Sequence, residues 1–408
     1  MKYTFTLLFT AFTMAVFTQP VSDVVTTGTG YADQIWYSLA NGEVASAPKD
    51  NWDLAFETTG FTSSIRINEQ KGMTVYSAPF AVAEWTELDT NTMASSWEVL
   101  HNDPKYWERG AFNLHPAADV DLGWGIYNTI THVVSGDSLY VVKLANGDFK
   151  KLKIDNLASG AYNFTYANID GTNEVAAQLA KADFSGKNFG YFDMVNNETV
   201  DREPASEDWD LTFTKYIDLV GPNSDTPYGV TGVLQNYTAE TAQAEAPTDG
   251  AGPYDFSYSS EINTIGHDWK TFDFTEGFII AEDLSYFIQG GDGIIYQIVF
   301  TGFGGSATGD YEFTVEEVGV LGLTEAEKYN VNTYPNPSNG QDVNLTWEST
   351  NFSNLHILDL SGKVVASKSL LGNTISALVN TENLKTGVYV VQLSGSNVVA
   401  TQKLVITP

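Results

Sequence analysis

The chain contains no cysteine. That one absence removes disulfides, thiolate-bound metals, iron–sulfur clusters and cysteine nucleophiles together. Basic residues are scarce: 20 Lys and Arg stand against 51 Asp and Glu, a formal charge of -31, with no dense Lys/Arg cluster anywhere. Such a surface offers no electrostatic footprint to phosphate backbones or anionic lipid, so nucleic acid is excluded as a partner. It is compatible with a soluble secreted protein in salty medium, where screening over about 10 Å blunts self-repulsion. Long apolar runs are missing too. A membrane-spanning helix needs about 20 apolar residues, and the candidate run at 3–17 is shorter and interrupted by threonines. HExxH, the GxSxG elbow and the P-loop do not occur. A single GxGxxA string, Gly302 to Ala307, opens onto Thr308-Gly309-Asp310 and another strand, which is not the strand-to-helix setting of a dinucleotide site. Asp119-Val120-Asp121 lacks EF-hand spacing. Acids are numerous enough for a glycosidase pair, but spacing in sequence does not place two carboxyls at the required separation. The expectation is a protein that binds and does not catalyse.

What is present is material for several β-rich cores. At 408 residues the chain exceeds the usual span of one core, which predicts two or three domains. Hydrophobic residues make up 43% and aromatics 13%, ample for packing, while 35 glycines punctuate short strand-like runs. Met1-Lys2, the apolar run 3–17 and the small and polar residues after it form the three regions of a secretory signal, 1–19, with cleavage expected near 18–20.

The other end opens with the turn cluster Tyr334-Pro335-Asn336-Pro337-Ser338-Asn339-Gly340. Short turn-bounded strands are predicted after it at 343–347, 355–360, 363–366, 388–393 and 402–406, which composition alone makes a small β-sandwich. The order of that cluster, Asp359-Leu360-Ser361-Gly362-Lys363-Val364-Val365, Leu384-Lys385-Thr386-Gly387-Val388-Tyr389 and Lys403-Leu404-Val405-Ile406 resembles the type A sorting domain of type IX secretion substrates. The resemblance implies an immunoglobulin-like β-sandwich over 323–408 that the outer-membrane translocon reads. It also implies a secreted or cell-surface destination on the exterior of the outer membrane.

Between the ends the chain repeats itself. Tyr37-Ser38-Leu39 leads to Asn51-Trp52-Asp53-Leu54-Ala55-Phe56, as Phe192-Asp193-Met194 leads to Asp208-Trp209-Asp210-Leu211-Thr212-Phe213. His132 to Tyr140 lies over Phe278 to Tyr286 without a gap, and Gly160-Ala161-Tyr162-Asn163-Phe164 recurs as Gly309-Asp310-Tyr311-Glu312-Phe313. Each copy is predicted to be mostly β, with strands at 140–144, 149–154 and 162–166 in the first. A helix is predicted over 173–181 as a link, and a loop over 238–253 within the second copy. Trp52 and Trp209 are expected in cores, with Asp53 and Asp210 bonded to nearby backbone.

The Asn41-Gly42-Glu43-Val44 turn, the Trp-Asp-Leu-Ala-Phe block and the stretch 137–154 resemble the HmuY-like haem-binding proteins. That resemblance implies an all-β organisation: two tandem HmuY-like β domains at 20–180 and 181–322, followed by the sorting domain. It further implies haem captured in a cleft by axial side chains. Imidazole, thioether or phenolate serves that purpose, and five histidines occur, of which His356 falls in the sorting domain. His101, His115 and His132 lie between the two motif blocks of the first copy, and His132, just ahead of the better block, ranks first. Phe278 replaces His132 in the second copy, where His267 or Met194 is the available alternative. Haem propionates want basic partners; Lys150, Lys151 and Lys153 are near at hand, although such a run also serves as a solvated face. The alternative to haem capture is a glycan- or protein-binding adhesion module on the same β fold.

Overall fold

A computed structural model of the chain describes residues 19–59, 63–221, 223, 226–245, 251–320, 329, 331–348, 352–359, 363–371, 374–395 and 399–407. The expected signal segment, apart from residue 19, lies outside the described residues, as do 246–250 and 360–362. The fold is all-β. The described residues form two compact units, one of 19–292 and 296–318, the other of 293–295 and 319–407. No described helix is long and apolar enough to cross a membrane.

The first twelve strands are β1 (Val21–Thr26), β2 (Asp33–Ser38), β3 (Gly42–Pro48), β4 (Leu54–Glu57), β5 (Ile65–Ile67), β6 (Thr74–Ala81), β7 (Val99–Leu100), β8 (Gly125–Asn128), β9 (Val133–Gly136), β10 (Ser138–Lys143), β11 (Phe149–Ala158) and β12 (Ala161–Asn168). Then follow β13 (Val175–Ala180), β14 (Phe189–Asp193), β15 (Glu198–Val200), β16 (Leu211–Val220), β17 (Thr226–Gln235), β18 (Glu240–Glu245), β19 (Lys270–Asp273), β20 (Gly277–Ile280), β21 (Leu284–Gln289), β22 (Ile294–Phe303) and β23 (Asp310–Val320).

Sheets in the larger unit come in matched pairs. The order β13-β12-β11-β10-β6 is repeated by β1-β23-β22-β21-β18, and β15-β14-β4-β5 is repeated by β3-β2-β16-β17. The match extends to register: Tyr162 faces Leu179 and Phe164 faces Ala177, as Tyr311 faces Val25 and Phe313 faces Asp23. Gly160 and Gly309 both turn the chain at φ 76°. Their carbonyls accept from Lys181 and Thr27 respectively, each at 2.9 Å. At Gly309 a Cβ would sit 2.4 Å from the Gly28 carbonyl oxygen, so only glycine fits this turn.

Pairing is out of phase with the sequence repeat. Strands β1 to β3 complete the sheets of β16 to β23, while β13 to β15 complete those of β4 to β12. One half is therefore unbroken chain from β4 to β15, and the other is β16 to β23 closed by the amino-terminal strands. The division expected at 180/181 falls at the end of β13, inside the first half.

Two expected elements are corrected. The segment 173–181 is not a helix but carries strand β13, paired along β12. Val175, Ala177 and Leu179 turn inward while Ala176 and Gln178 stay exposed, the period of two that a strand at a sheet edge needs. The loop expected at 238–253 contains β18, which pairs with β21 from Glu240↔Gln289 to Glu245↔Leu284. Its alanines leave room against the aromatic core, and Thr241, Ala242 and Ala244 are buried.

The same corner is built twice. Asp53 N–H donates to the Phe192 carbonyl at 2.9 Å, and its Oδ2 accepts from Met194 N–H at 2.7 Å. Asp210 N–H donates to Tyr37 and its Oδ2 accepts from Leu39 N–H at 2.8 Å. An asparagine then closes each corner: Asn68 Nδ2 donates to the Trp52 carbonyl and Asn236 Nδ2 to that of Trp209. Asp53 has an extra partner, Lys71 Nζ at 2.8 Å, where Asp210 has only Gly291 N–H at 3.4 Å.

The smaller unit contains β24 (Asn332–Tyr334), β25 (Val343–Thr346), β26 (Phe352–Leu358), β27 (Val364–Ser369), β28 (Ser376–Val379), β29 (Gly387–Gly395) and β30 (Val399–Ile406). Two sheets, β24-β25-β28 and β27-β26-β29-β30, enclose a core around Leu345, Trp347, Leu355, Ile357 and Leu393.

The unequal corners predict unequal costs. Asp53→Ala strands a buried backbone N–H and the Lys71 ammonium, and is expected to lower stability by about 3–5 kcal/mol. Asp210→Ala is expected to lose about 1–2 kcal/mol. Urea unfolding of the two variants checks this, and equal losses would remove Lys71 from the account.

Candidate functional site

Strands β2, β4, β14 and β16 are buried on both faces. Leu54 and Phe56 point into one aromatic core, and Ala55 and Glu57 point the other way, yet all four are buried. Leu211 to Thr214 repeat the pattern. The outward faces of the two four-stranded sheets pack toward each other, and their residues make the cross-half contacts. Tyr237 donates from its hydroxyl to Glu57 Oε1 at 3.1 Å, and Asn188 Nδ2 donates to Asn236 Oδ1 at 2.6 Å. With its amide oxygen turned toward β16, Gln70 accepts from Tyr216 and Ile217 N–H at 3.1 Å.

A cleft of about 820 Å³, including its open mouth, lies along this junction. Its aromatic wall is Trp36, Trp52, Trp107, Tyr191, Trp209 and Tyr216, drawn from both halves. Trp36 and Tyr191 are equivalent by register, as are Trp209 and Trp52. Trp107 comes from the loop after β7, and its indole donates to the Gln235 carbonyl at 2.9 Å. The indole N–H groups of Trp52 and Trp209 have no partner among the described residues.

Two guanidinium groups support the wall. Arg202 is buried and stacks on Trp36 at 4.9 Å and on Tyr191 at 5.1 Å, donating to Gln34 Oε1 and the Pro48 carbonyl. Arg66 stacks on Trp107 at 5.0 Å and donates to the carbonyls of Asp103, Tyr106 and Trp107. Burial pulls both guanidinium pKa values below their ordinary level. Glu69 and Glu203 are the carboxylates of the lining. Glu69 bonds to His101 Nδ1 at 2.6 Å and to Asn102. Glu203 accepts from the Tyr191 hydroxyl at 2.5 Å and from Asn188 N–H at 2.9 Å, and burial pushes its carboxyl up to about 7.

The three histidines singled out from sequence do not line this cleft. His101 stands behind Glu69 with its side chain 36% exposed. His115, at φ 59°, pairs through Nε2 with Glu98 at 2.9 Å on the surface. His132, at φ 57°, closes the β8–β9 hairpin and holds the Tyr127 hydroxyl at Nδ1, 2.7 Å away. No hydrogen bond, ion pair or ring contact joins any two of them among the described residues. His267 pairs with Asp218 at 3.4 Å, and Met194 is a core residue. The three lysines have local partners. Lys150 donates to Asn168, Lys151 to the Trp85 carbonyl, and Lys153 pairs with Asp155.

Sequence reasoning placed Trp52 and Trp209 in cores and missed Trp36, Trp107, Arg66 and Arg202. The available signal was the run Trp-Asp-Leu-Ala-Phe itself. Five residues without a solvated position indicate a strand covered on both sides.

Residues 332–407 match the secretion system C-terminal sorting domain family. The protein is thus a type IX secretion substrate, delivered to the cell surface or beyond. No curated protein matches the chain.

Glu203 gives this site a pH signature. Its folded pKa of about 7 lies above the ordinary 4.5, so the folded state binds the proton more tightly and stability falls as pH rises from about 4.5 to 7. The loss attributable to this group is about 3 kcal/mol. Glu203→Gln is expected to remove that slope from a pH series of thermal midpoints. A variant curve parallel to the parent's would refute the assignment.

Proposed function

We propose that this exported protein is a non-enzymatic binding protein, and that it captures glycan in the aromatic cleft between its halves. One observation carries this reading: four tryptophans and two tyrosines, contributed by both copies, converge on one cleft. Indole faces supply large apolar contact at little conformational cost, and polar groups at the rim fix orientation. Trp52 and Trp107 are the half-buried members of the wall, and the other four rings are buried. Hydrolysis is the less favoured chemistry because Glu69 and Glu203 are both engaged by neighbours, leaving neither free as acid or nucleophile.

A second reading is haem capture at the β8–β9 hairpin, supported by the HmuY-like motifs and by the setting of His132. The Tyr127 hydroxyl holds Nδ1 and leaves Nε2 of this exposed side chain outward, the orientation an axial imidazole requires. Bound there, haem iron would supply the coordination and His132 the donor.

Trp107→Ala is expected to weaken glycan binding by about tenfold or more, as loss of a stacked aromatic costs roughly 1–3 kcal/mol, while Trp107→Phe keeps most of it. A glycan array followed by fluorescence titration measures this. An array without hits, or Trp107→Ala binding like the parent, would dispose of the cleft reading. For the second reading, haemin titration is expected to give a saturable Soret shift that His132→Ala abolishes; a flat titration ends it.

A further inference from the structure

We infer that the saccharide bound in the cleft is acidic, a pyranose carrying a carboxylate or sulfate group. The inference rests on the cleft being the binding site, as proposed above, and comes from an imbalance of charge at that place. Over the whole chain acids outnumber bases 51 to 20. At the cleft the order is reversed. Lys49, Arg66 and Lys215 line it and Arg202 stands directly behind Trp36 and Tyr191, and no carboxylate lies within ion-pair distance of any of the four among the described residues.

The opposing carboxylates are accounted for. Glu69 is matched by His101 and Asn102, and Glu203 keeps its proton up to about neutrality behind the Tyr191 hydroxyl. Among the cations, capacity remains. Arg66 uses three of its five N–H groups on backbone carbonyls. Arg202 donates to Gln34 and the Pro48 carbonyl and is also engaged by the Tyr191 hydroxyl and the Glu203 charge, while its Nε is buried without a partner among the described residues. Lys49 and Lys215 are half-buried residues of the lining, and their ammonium groups donate to nothing among the described residues.

Removing an unpaired cation from water is costly, and the cost is recovered only when an anion arrives with matching geometry. Here the fold carries that cost at Arg66 and Arg202, beside one aromatic wall, with Lys49 and Lys215 near at hand on the lining. An oxyanion on the rim of a ring stacked on Trp52 or Trp107 would complete the set, and a planar guanidinium suits carboxylate and sulfate alike. A neutral sugar would satisfy the rings and leave the cations as they are. In a chain where acids outnumber bases 51 to 20, a cationic cleft also discriminates, because the net charge disfavours anionic ligands elsewhere.

The test is calorimetry on the full-length exported protein with three trisaccharides: a galacturonate trimer, its neutral galactose counterpart and a sulfated galactose trimer. At least one acidic trimer is expected to bind about tenfold or more tighter than the neutral one, with the advantage shrinking at high salt. Uronate alone or sulfate alone identifies which oxyanion is taken. Lys215→Gln, which breaks no hydrogen bond of the fold, should cut the acidic preference several-fold at an unchanged thermal midpoint. Arg66→Lys, which gives up the fork held on three carbonyls, should also cut the acidic preference, with a lowered thermal midpoint. Equal binding of neutral and acidic trimers overturns the acidic ligand and leaves the cleft reading intact. Acidic binding indifferent to Lys215→Gln and Arg66→Lys places the oxyanion elsewhere and overturns the inference. No binding of any trimer overturns it as well, and with it the cleft reading if Trp107→Ala is also silent on the array.

Discussion

Asp53 and Asp210 each take a backbone N–H from the end of a hairpin that is remote in sequence, 141 and 171 residues away. Everything in the larger unit depends on these two corners. Each fixes where its strand meets a hairpin supplied by the other copy, and so fixes the order of both four-stranded sheets. A carboxylate suits the task because it accepts more than one bond in a dry environment, where a paired polar group is held firmly and an unpaired one is expensive. The asparagines that close the corners spend their amides on the carbonyls of the tryptophans just ahead. The aromatic wall is anchored by backbone as well as by packing.

Exchange of hairpins between copies explains why the cleft sits where it does. Were β2 and β14 paired within their own copies, Trp36 and Tyr191 would accompany different tryptophans. As built, Trp36 packs with Trp209 and Tyr191 with Trp52, so one copy's ring always lies on the other copy's corner. Arg202 then spans the seam, stacked on Trp36 of one half and Tyr191 of the other. Duplication has produced a cleft at an axis of approximate symmetry, and Arg202 shows that the symmetry is not kept in the chemistry.

Much of the architecture was legible in the sequence. Alternating apolar runs gave five of the seven strands of the sorting domain to within a few residues and missed β24 and β28, and the duplicated landmarks proved to occupy equivalent registers. The phase of the copies was not legible, because pairing across 150 residues leaves no local pattern; β13 could be taken for a helix since Val175, Ala176, Leu179 and Ala180 also fit helical spacing. The site was legible only in pieces. Histidines attract attention by chemistry, whereas Arg66 and Arg202 look like ordinary surface cations until the fold brings them under tryptophan rings. The Trp-Asp motif was visible, and its two-sided burial depends on a second sheet that sequence does not locate.

The pairing of β1 with β23 imposes an order of events on the molecule. Thr26 and Asp310 are bonded across 284 residues of chain, and closing a loop of that length costs about 5 kcal/mol of chain entropy before any contact repays it. The half from β4 to β15 is continuous and can close as soon as its own strands exist. The other half waits, with its first three strands made at the outset and their partners made last. A chain threading a pore from its amino terminus would therefore carry β1 to β3 as unsatisfied edges through most of the passage, and would complete its second half only when the segment just ahead of the sorting domain had emerged.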